Sequence, residues 1–456
     1  MEENITGMLS AEEIRIADKC VEKALALGAS KVRVTLNKSL MELFGTLDGV
    51  LDKVSHCLDR SMSVCLFADG KYGSFSTNRL VESELDDFLA KSIATVRMLA
   101  EDPCRDLPDP ERTAKDAKTG KELGLYDPSY PSLTSSERLK MAMEASVFER
   151  HKAEGLISEE GEYSDSIYDT LTLDSNGLCC RHTETSFEYG VESTVKDADG
   201  NRYSGYWWDS KPKLEDLQIA TCSETAYQRA MAQIGPKKIP SGKYTMVLDS
   251  ENSSRLVTPL TSALGAFALQ QKNSFLLDTL GKKVFPEWMT LKDMPLAIGQ
   301  PGSKLFDSEG VAARETPIIQ NGVVKEYFVN TYMSRKMGIA PTIEDVIRPV
   351  LEPCVAPGMD KPSRMDRDAL MALAGDGILV TGFNGGNSNS ATGDFSFGVE
   401  GFLFKDGKIV HPVRETLITG NLLTLWNNLL AAGDDARTCK SKVIPTLVFK
   451  DVDFSA

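Results

Sequence analysis

The side chains best suited to chemistry in this chain are its histidines, and there are four: His56, His151, His182 and His411. None is followed by glutamate, and no two lie within one helical turn of each other, so neither an HExxH nor an HExxxH zinc helix is present. A lone histidine more often makes a surface or local hydrogen bond than binds metal. A zinc site gathered from distant His, Cys and Asp is the alternative. No GxxxxGK[ST] occurs. The glycine-rich run from Gly382 through Gly385, Gly386 and Asn387 carries no lysine and leads into strand-like sequence instead of an anion-binding helix. No GxSxG elbow occurs. Serine and aspartate are abundant enough for a Ser/His/Asp triad, but nothing selects one set. Cys179 and Cys180 follow Leu178 without a nearby base and read as packing. Tyr203, Tyr206, Trp207 and Trp208 read as a strand whose rings cover a sheet, with the two tryptophans on opposite faces.

The elements that must position these groups fall into two compositions, and 456 residues exceed one ordinary core. Ser10 and Glu13 have capping-box spacing ahead of a helix that Gly28 closes. A strand around Val32, Val34 and Leu36 follows, then a hairpin turning at Asp69-Gly70 and a helix over about 82–99. The stretch 103–131, with five prolines, reads as a linker or surface loop. The order then recurs: a helix over 135–154 capped by Ser135 or Ser136, strands near 157, 168–173 and 179–191, and a helix over 214–234. This predicts an N-terminal α+β domain over 1–235, read as a duplicated helix-hairpin-helix unit, with a permuted or unrelated pair as the alternative. After Gly235 to Gly242, short glycine-rich strands dominate, with turns at Asn321-Gly322 and Asp406-Gly407 and helices near 252–271, 364–373 and 422–432. A mostly β C-terminal domain is expected over 243–456, and the whole chain is of α+β class.

Three segments carry a resemblance. They are SFLLDTLGKKVFPEWMTLKDMP from Ser274, FDSEGVAARETPIIQNGVVKEYFVNTYMSRKMG from Phe306, and NSATGDFSFGVEGFLFKDGKIVHPVRETLITGNLLTLWNNLLAAGDD from Asn389. They resemble the PmbA (TldE) form of the TldD/PmbA peptidase family, long described as modulators of DNA gyrase. The likeness is strong over about 240–450 and looser before. The family has a TldD kind with HExxxH and a late cysteine, which can hold zinc, water and a general base. Here the comparable helix places Thr258, Pro259 and Ala263 where His, Glu and His would fall, Pro259 sitting at a first helical turn. Cys439 takes the place of the late cysteine. The resemblance therefore implies no catalytic residue and no metal in this chain. Zinc is expected in a TldD-type partner, and unstructured peptides are the expected substrates. Candidates for the peptide cleft are Gly385, Gly386, Asn387, Thr392, Asp394 and Cys439; equally, Gly385 and Gly386 serve only a turn. Arg414 and Glu415 read as a structural pair. The competing readings are a peptidase active alone through a non-standard site, and a homodimeric peptide-binding scaffold.

The net charge of −15 argues against nucleic acid and anionic membranes as partners. No apolar run approaches the roughly 18 residues of a membrane span. The nine cysteines are odd in number and lack CxxC spacing, and the N-terminus is polar. Together these features predict a reducing, cytoplasmic location.

Overall fold

The protein, described by a computed structural model over residues 7–455, is of mixed α and β class with a β-rich C-terminal part. The first few residues of the polar N-terminus lie outside the described range. The chain divides into two compact units.

The first unit comprises 7–228, 296–313 and 330–344. Helix α1 (Ala11–Ala26) starts on the Ser10/Glu13 capping box, with Ser10 Oγ accepting from Glu13 N at 3.2 Å. Strands β1 (Lys31–Leu47), β2 (Val50–Ala68) and β3 (Lys71–Thr77) follow, then α2 (Glu82–Val96). The order repeats with α3 (Ser135–Glu144), a short α4 (Phe148–His151), β4 (Leu156–Asp174), β5 (Cys179–Lys196), β6 (Arg202–Lys211) and α5 (Cys222–Ala232). One antiparallel sheet, ordered β3-β2-β1-β4-β5-β6, joins the two halves through β1 and β4. Alternation in β1 sends Val32, Val34 and Leu36 into the core beneath α1 and α2, and Phe44 into the core beneath α3 and α5.

Several expectations are corrected by tertiary contacts. The strand around Val32 and the later hairpin are one pair of long strands, turning at Asp48-Gly49. There φ is 53° and 76°, the left-handed pair that a tight hairpin demands. The helix expected over 135–154 is capped by Thr134 and breaks after Glu144, because the buried Glu159 carboxylate accepts from Val147 N at 3.1 Å and from Ser146 Oγ. The helix expected from 214 begins only at Cys222. The proline-rich stretch 103–131 has no regular element longer than a single 3-10 turn. It is nonetheless fastened along β5, whose Arg181, Thr183 and Thr185 amides donate to the carbonyls of Ala117, Gly120 and Leu125.

Strand β4 carries four buried carboxylates, Glu159, Asp165, Asp169 and Asp174. Asp165 receives Arg138 Nε of α3 at 2.6 Å and Tyr163 Oη at 2.9 Å. Asp169 receives Arg181 Nε at 2.8 Å, Thr183 Oγ1 at 2.9 Å and Leu9 N at 2.9 Å. Asp174 closes the β4–β5 turn by accepting from Asn176 N and Leu178 N.

The second unit comprises 229–295, 314–329 and 345–455. Strand β7 (Gly242–Leu248) leads into α6 (Ser254–Ala263). Four short strands, β8 (Leu291–Asp293), β9 (Thr316–Gln320), β10 (Val323–Val324) and β11 (Pro349–Leu351), make a small sheet. The larger sheet contains β12 (Cys354–Val355), β13 (Gly377–Ser388), β14 (Asp394–Lys405), β15 (Lys408–Asn421), β16 (Leu429–Ala432) and β17 (Leu447–Ser455) with β7. Because β17 pairs with both β15 and β7, the ring β7-β13-β14-β15-β17 closes as a barrel, with β16 and β12 beside it. Asn321-Gly322 and Asp406-Gly407 both adopt left-handed turns at hairpins, as expected. The helix expected over 252–271 stops after Ala263. The helix that follows begins at Ala266, whose amide donates to Phe328 O.

Arg138→Met is expected to destabilise the first unit by about 3–5 kcal/mol, since it strands the Asp165 carboxylate. Replacing both partners, Arg138→Met with Asp165→Leu, should recover most of that loss. Hydrogen exchange in β4 and β5 reads both effects, and a double variant as weak as the single one would refute the assignment. A second expectation concerns His151, with Nδ1 2.8 Å from Glu154, Nε2 2.9 Å from Glu224 and its ring stacked on Tyr227. Burial opposes the charged ring, but the Glu224 and Glu154 carboxylates outweigh it and hold the pKa above the ordinary value. The stabilisation is therefore full below about pH 6.5 and is lost as pH rises through the higher folded value. The urea midpoint of the wild type should fall more between pH 6 and pH 8.5 than that of His151→Gln, and parallel curves would exclude this role.

Candidate functional site

The four histidines do not converge. His56 Nδ1 lies 2.7 Å from Glu42, His151 bridges two glutamates, His182 Nε2 lies 3.3 Å from Glu184, and His411 Nδ1 lies 2.9 Å from Pro412 O. Among the described residues no three His, Cys, Asp or Glu side chains gather in a group able to hold a metal. The aromatic run divides as expected. Tyr203 is buried, Trp207 packs on the core with α3 and α5, and Trp208 with the exposed Tyr206 lines a cavity of about 410 Å³ on the open sheet face.

In the second unit the region equivalent to a zinc helix is built around the start of α6. Asp249 follows β7 and accepts from Glu251 N at 2.7 Å, and Arg367, at 3.6 Å, approaches its other oxygen. Ser253, fully buried, donates to Ile444 O at 2.8 Å. The segment around Cys439 is thereby held against α6. Lys440 Nζ lies 3.2 Å from Glu251 Oε2, and Arg437 pairs with the same carboxylate. Lys442 Nζ donates to Thr258 Oγ1 at 3.0 Å while that hydroxyl donates to Ser254 O at 2.9 Å. Cys439 is 5% exposed.

This donor set does not fit zinc. The Thr258 hydroxyl is engaged by an ammonium, Pro259 offers no donor, and the Ala263 methyl is buried. Pro259 lies inside the helix, in its second turn and not at the first as expected, where it removes one backbone rung. Three cations, Arg437, Lys440 and Lys442, stand in this segment, two of them paired with the Glu251 carboxylate. None of the four was singled out in the sequence, although the spacing RTCKSK was there to be read.

The remaining candidates lie on β13 and β14. Gly385 and Gly386 are exposed with φ of 95° and 90°. A Cβ on Gly386 would fall 2.1 Å from Ser396 O, whereas a Cβ on Gly385 would meet nothing within 4 Å. Asn387 is exposed on the same strand. Thr392 and Asp394 shape the turn into β14: Thr392 Oγ1 donates to Asp394 at 2.7 Å, and Asn421 Nδ2 donates to it at 3.0 Å. The Asn421 bond first, then that from Thr392, holds the Asp394 carboxyl below its ordinary value. Strand β13 pairs with β7 only over Ile378–Val380, and from Thr381 to Ser388 its far side carries no strand among the described residues. Asn252 Nδ2 reaches Thr381 O at 2.7 Å, and Arg255 Nη2 reaches Gly386 O at 3.2 Å with its guanidinium 5.3 Å from the Phe397 ring centre. Arg414 pairs with Glu400 on β14 at 3.5 Å.

Among known proteins, residues 126–234 match the PmbA/TldA metallopeptidase central domain and residues 241–456 match the PmbA/TldA metallopeptidase C-terminal domain. Metalloprotease PmbA of Escherichia coli O157:H7 is 25% identical over 95% of this chain and 96% of its own length. A solved structure from Bacteroides thetaiotaomicron, named as a modulator of DNA gyrase, is 40% identical with a TM-score of 0.92, covering 98% of this chain and 99% of that one. TldE from Thermococcus kodakarensis shares the fold, with a TM-score of 0.80 at 17% identity over 97% of this chain and 100% of that one. With both domain matches and a 40%-identical relative spanning nearly its whole length, the chain belongs to the PmbA/TldD metallopeptidase family.

Proposed function

We propose that this chain is the PmbA/TldE-type subunit of a metalloprotease complex, working beside a TldD-type chain that holds the zinc and the general base. The observation that carries the reading is the Lys442 ammonium bonded to Thr258, where the family's first histidine would stand. A cation there repels a divalent metal, and the nearby Glu251 carboxylate is engaged by Arg437 and Lys440. The role left to the chain is to bind and present substrate. The free side of β13 beyond Val380 suits an extended peptide added as a further strand, where backbone bonds give affinity with little sequence preference. That geometry favours unstructured segments. Gly385, Gly386 and Asn387 stand along this edge, while Thr392 and Asp394 hold the adjoining turn and Cys439 is buried within the cationic segment. The nine unbridged cysteines fit a cytoplasmic setting. Among the described residues no helix is long and apolar enough to cross a membrane.

The decisive experiment measures zinc content and cleavage of unstructured peptides for this chain alone, for a TldD-type chain from the same cell, and for their mixture. The chain alone is expected to be metal-free and inert, and the mixture to be active and silenced by a chelator. Stoichiometric zinc with cleavage by this chain alone would overturn the assignment. At the proposed edge, Gly385→Ala meets no steric obstacle and should cost only about 1–2 kcal/mol of backbone strain. It should still lower kcat/KM of the mixture by roughly tenfold through crowding a bound peptide backbone. Unchanged cleavage would return Gly385 to a turn role only.

A further inference from the structure

On the sheet face opposite Phe44, Tyr163 and Tyr189, the strand register sets one row of residues side by side: Lys53, Gly45, Glu162, Gly190 and Trp208. The adjacent row on that face is Leu47, Glu160, Glu192 and Tyr206. Two glycines in one row leave a dip in a surface otherwise covered by side chains. The dip is the floor of the cavity of about 410 Å³, which four glutamates and one lysine line: Glu160, Glu162, Glu188, Glu192 and Lys53.

Two observations point to what such a cavity takes. Lys53 already displays one contact of the kind. Its methylene chain lies over Gly45, where an added Cβ would fall 2.8 Å from Lys53 Cγ, and its ammonium stands 2.8 Å from Glu162. An alkylammonium is thus held here by methylenes on a glycine floor and a carboxylate at the head. The second observation is an unrelieved repulsion. Glu160 and Glu192 stand directly opposite each other on β4 and β5, both exposed, and neither is ion-paired among the described residues. Like charges directly opposite destabilise a sheet, and a cation between them relieves that strain. Beside them, Tyr206 stands opposite Glu192 and lies across Gly190, its Oη 2.7 Å from where a Cβ would fall. With Trp208 it lines the β6 side with aromatic rings, whose faces attract organic cations.

We propose that this cavity binds an aliphatic ammonium cation, its charge between Glu160 and Glu192 and its methylenes against Tyr206 and Trp208. A metal ion fits less well. Among the described residues no three of these carboxylates gather closely enough to hold one, and aromatic walls offer a hard divalent ion no oxygen ligands. Two sources share the required chemistry, a free polyamine and the lysine side chain of a peptide. The inference goes beyond the proposed subunit role and does not rest on it.

Calorimetric titration of the full chain with spermidine at low ionic strength tests it, and one saturable site is expected. Glu160→Gln with Glu192→Gln should weaken binding roughly tenfold, and Tyr206→Ala severalfold. Glu160→Gln alone should at the same time raise the thermal midpoint of the unliganded chain, because it removes the opposed charges. Weaker binding together with greater stability is a combination that misfolding cannot imitate. A second titration uses a flexible Gly/Ser peptide carrying a single lysine, with a glutamine version as the control. Tighter binding of spermidine assigns the site to free polyamines, and tighter binding of the lysine peptide assigns it to peptide side chains; either upholds the proposal. Binding of neither probe, binding indifferent to the double variant, or magnesium binding as tightly as spermidine would each overturn it.

Discussion

Burying carboxylates on one central strand is the constraint on which the first unit turns. A carboxylate taken out of water must be met by donors, and each of the four on β4 recruits a different piece of chain. Glu159 ends α3, Asp165 locks that helix to the sheet through Arg138, Asp169 ties β5 and the approach to α1, and Asp174 shapes the β4–β5 turn. Because β4 is also the strand that meets β1, the same residues fix how the two helix–strand–helix halves face one another within the sheet. The two apolar cores, around Val34 and around Phe44, supply most of the driving force. They do not specify where helices stop, whereas the carboxylates do.

The second unit uses the opposite sign of charge for a comparable purpose. Arg437 and Lys440 converge on Glu251, and Lys442 on Thr258, so a segment that would otherwise be a surface loop is drawn onto α6. A metal ion would be a natural way to fasten a helix to a distant cysteine segment. Here direct ion pairs and hydrogen bonds fasten the segment. The barrel then presents the free side of β13 next to this fastening, with Asn252 and Arg255 already reading its carbonyls.

Much of this was legible in the chain before any coordinates. The capping box at Ser10, the turns at Asp69-Gly70, Asn321-Gly322 and Asp406-Gly407, and the α+β order followed by a β-rich part all rest on local chemistry, and local chemistry is what a sequence displays. Helix ends at Glu144 and Ala263 were misplaced because a carboxylate and a carbonyl remote in sequence decide them. The long β1–β2 pair was split because the stretch from Val50 to Asp59 is exposed on both faces and shows no alternation. At the candidate site, the absence of an HExxxH pattern was readable from residue types alone. The cations that take over were not, since three lysines and arginines near a cysteine look like any solvated loop until Glu251 and Thr258 are seen against them.

The way the chain is threaded has a consequence for its birth on the ribosome. The first unit includes 296–313 and 330–344, which supply Phe306 to the cluster around Cys180 and Glu309 to the amide of Thr331. Synthesis of residue 228 therefore does not complete that unit. At roughly 5–20 residues per second, some ten seconds of further elongation separate the emergence of its main sheet from that of its last segments. Until Leu305, Phe306 and Ala312 emerge, Leu178 and Cys180 lack part of their cover, and β7 and β8 have already been synthesised. The nascent protein must hold one unfinished sheet while a second is being laid down, so chaperones that shield exposed apolar surface have their longest opportunity here.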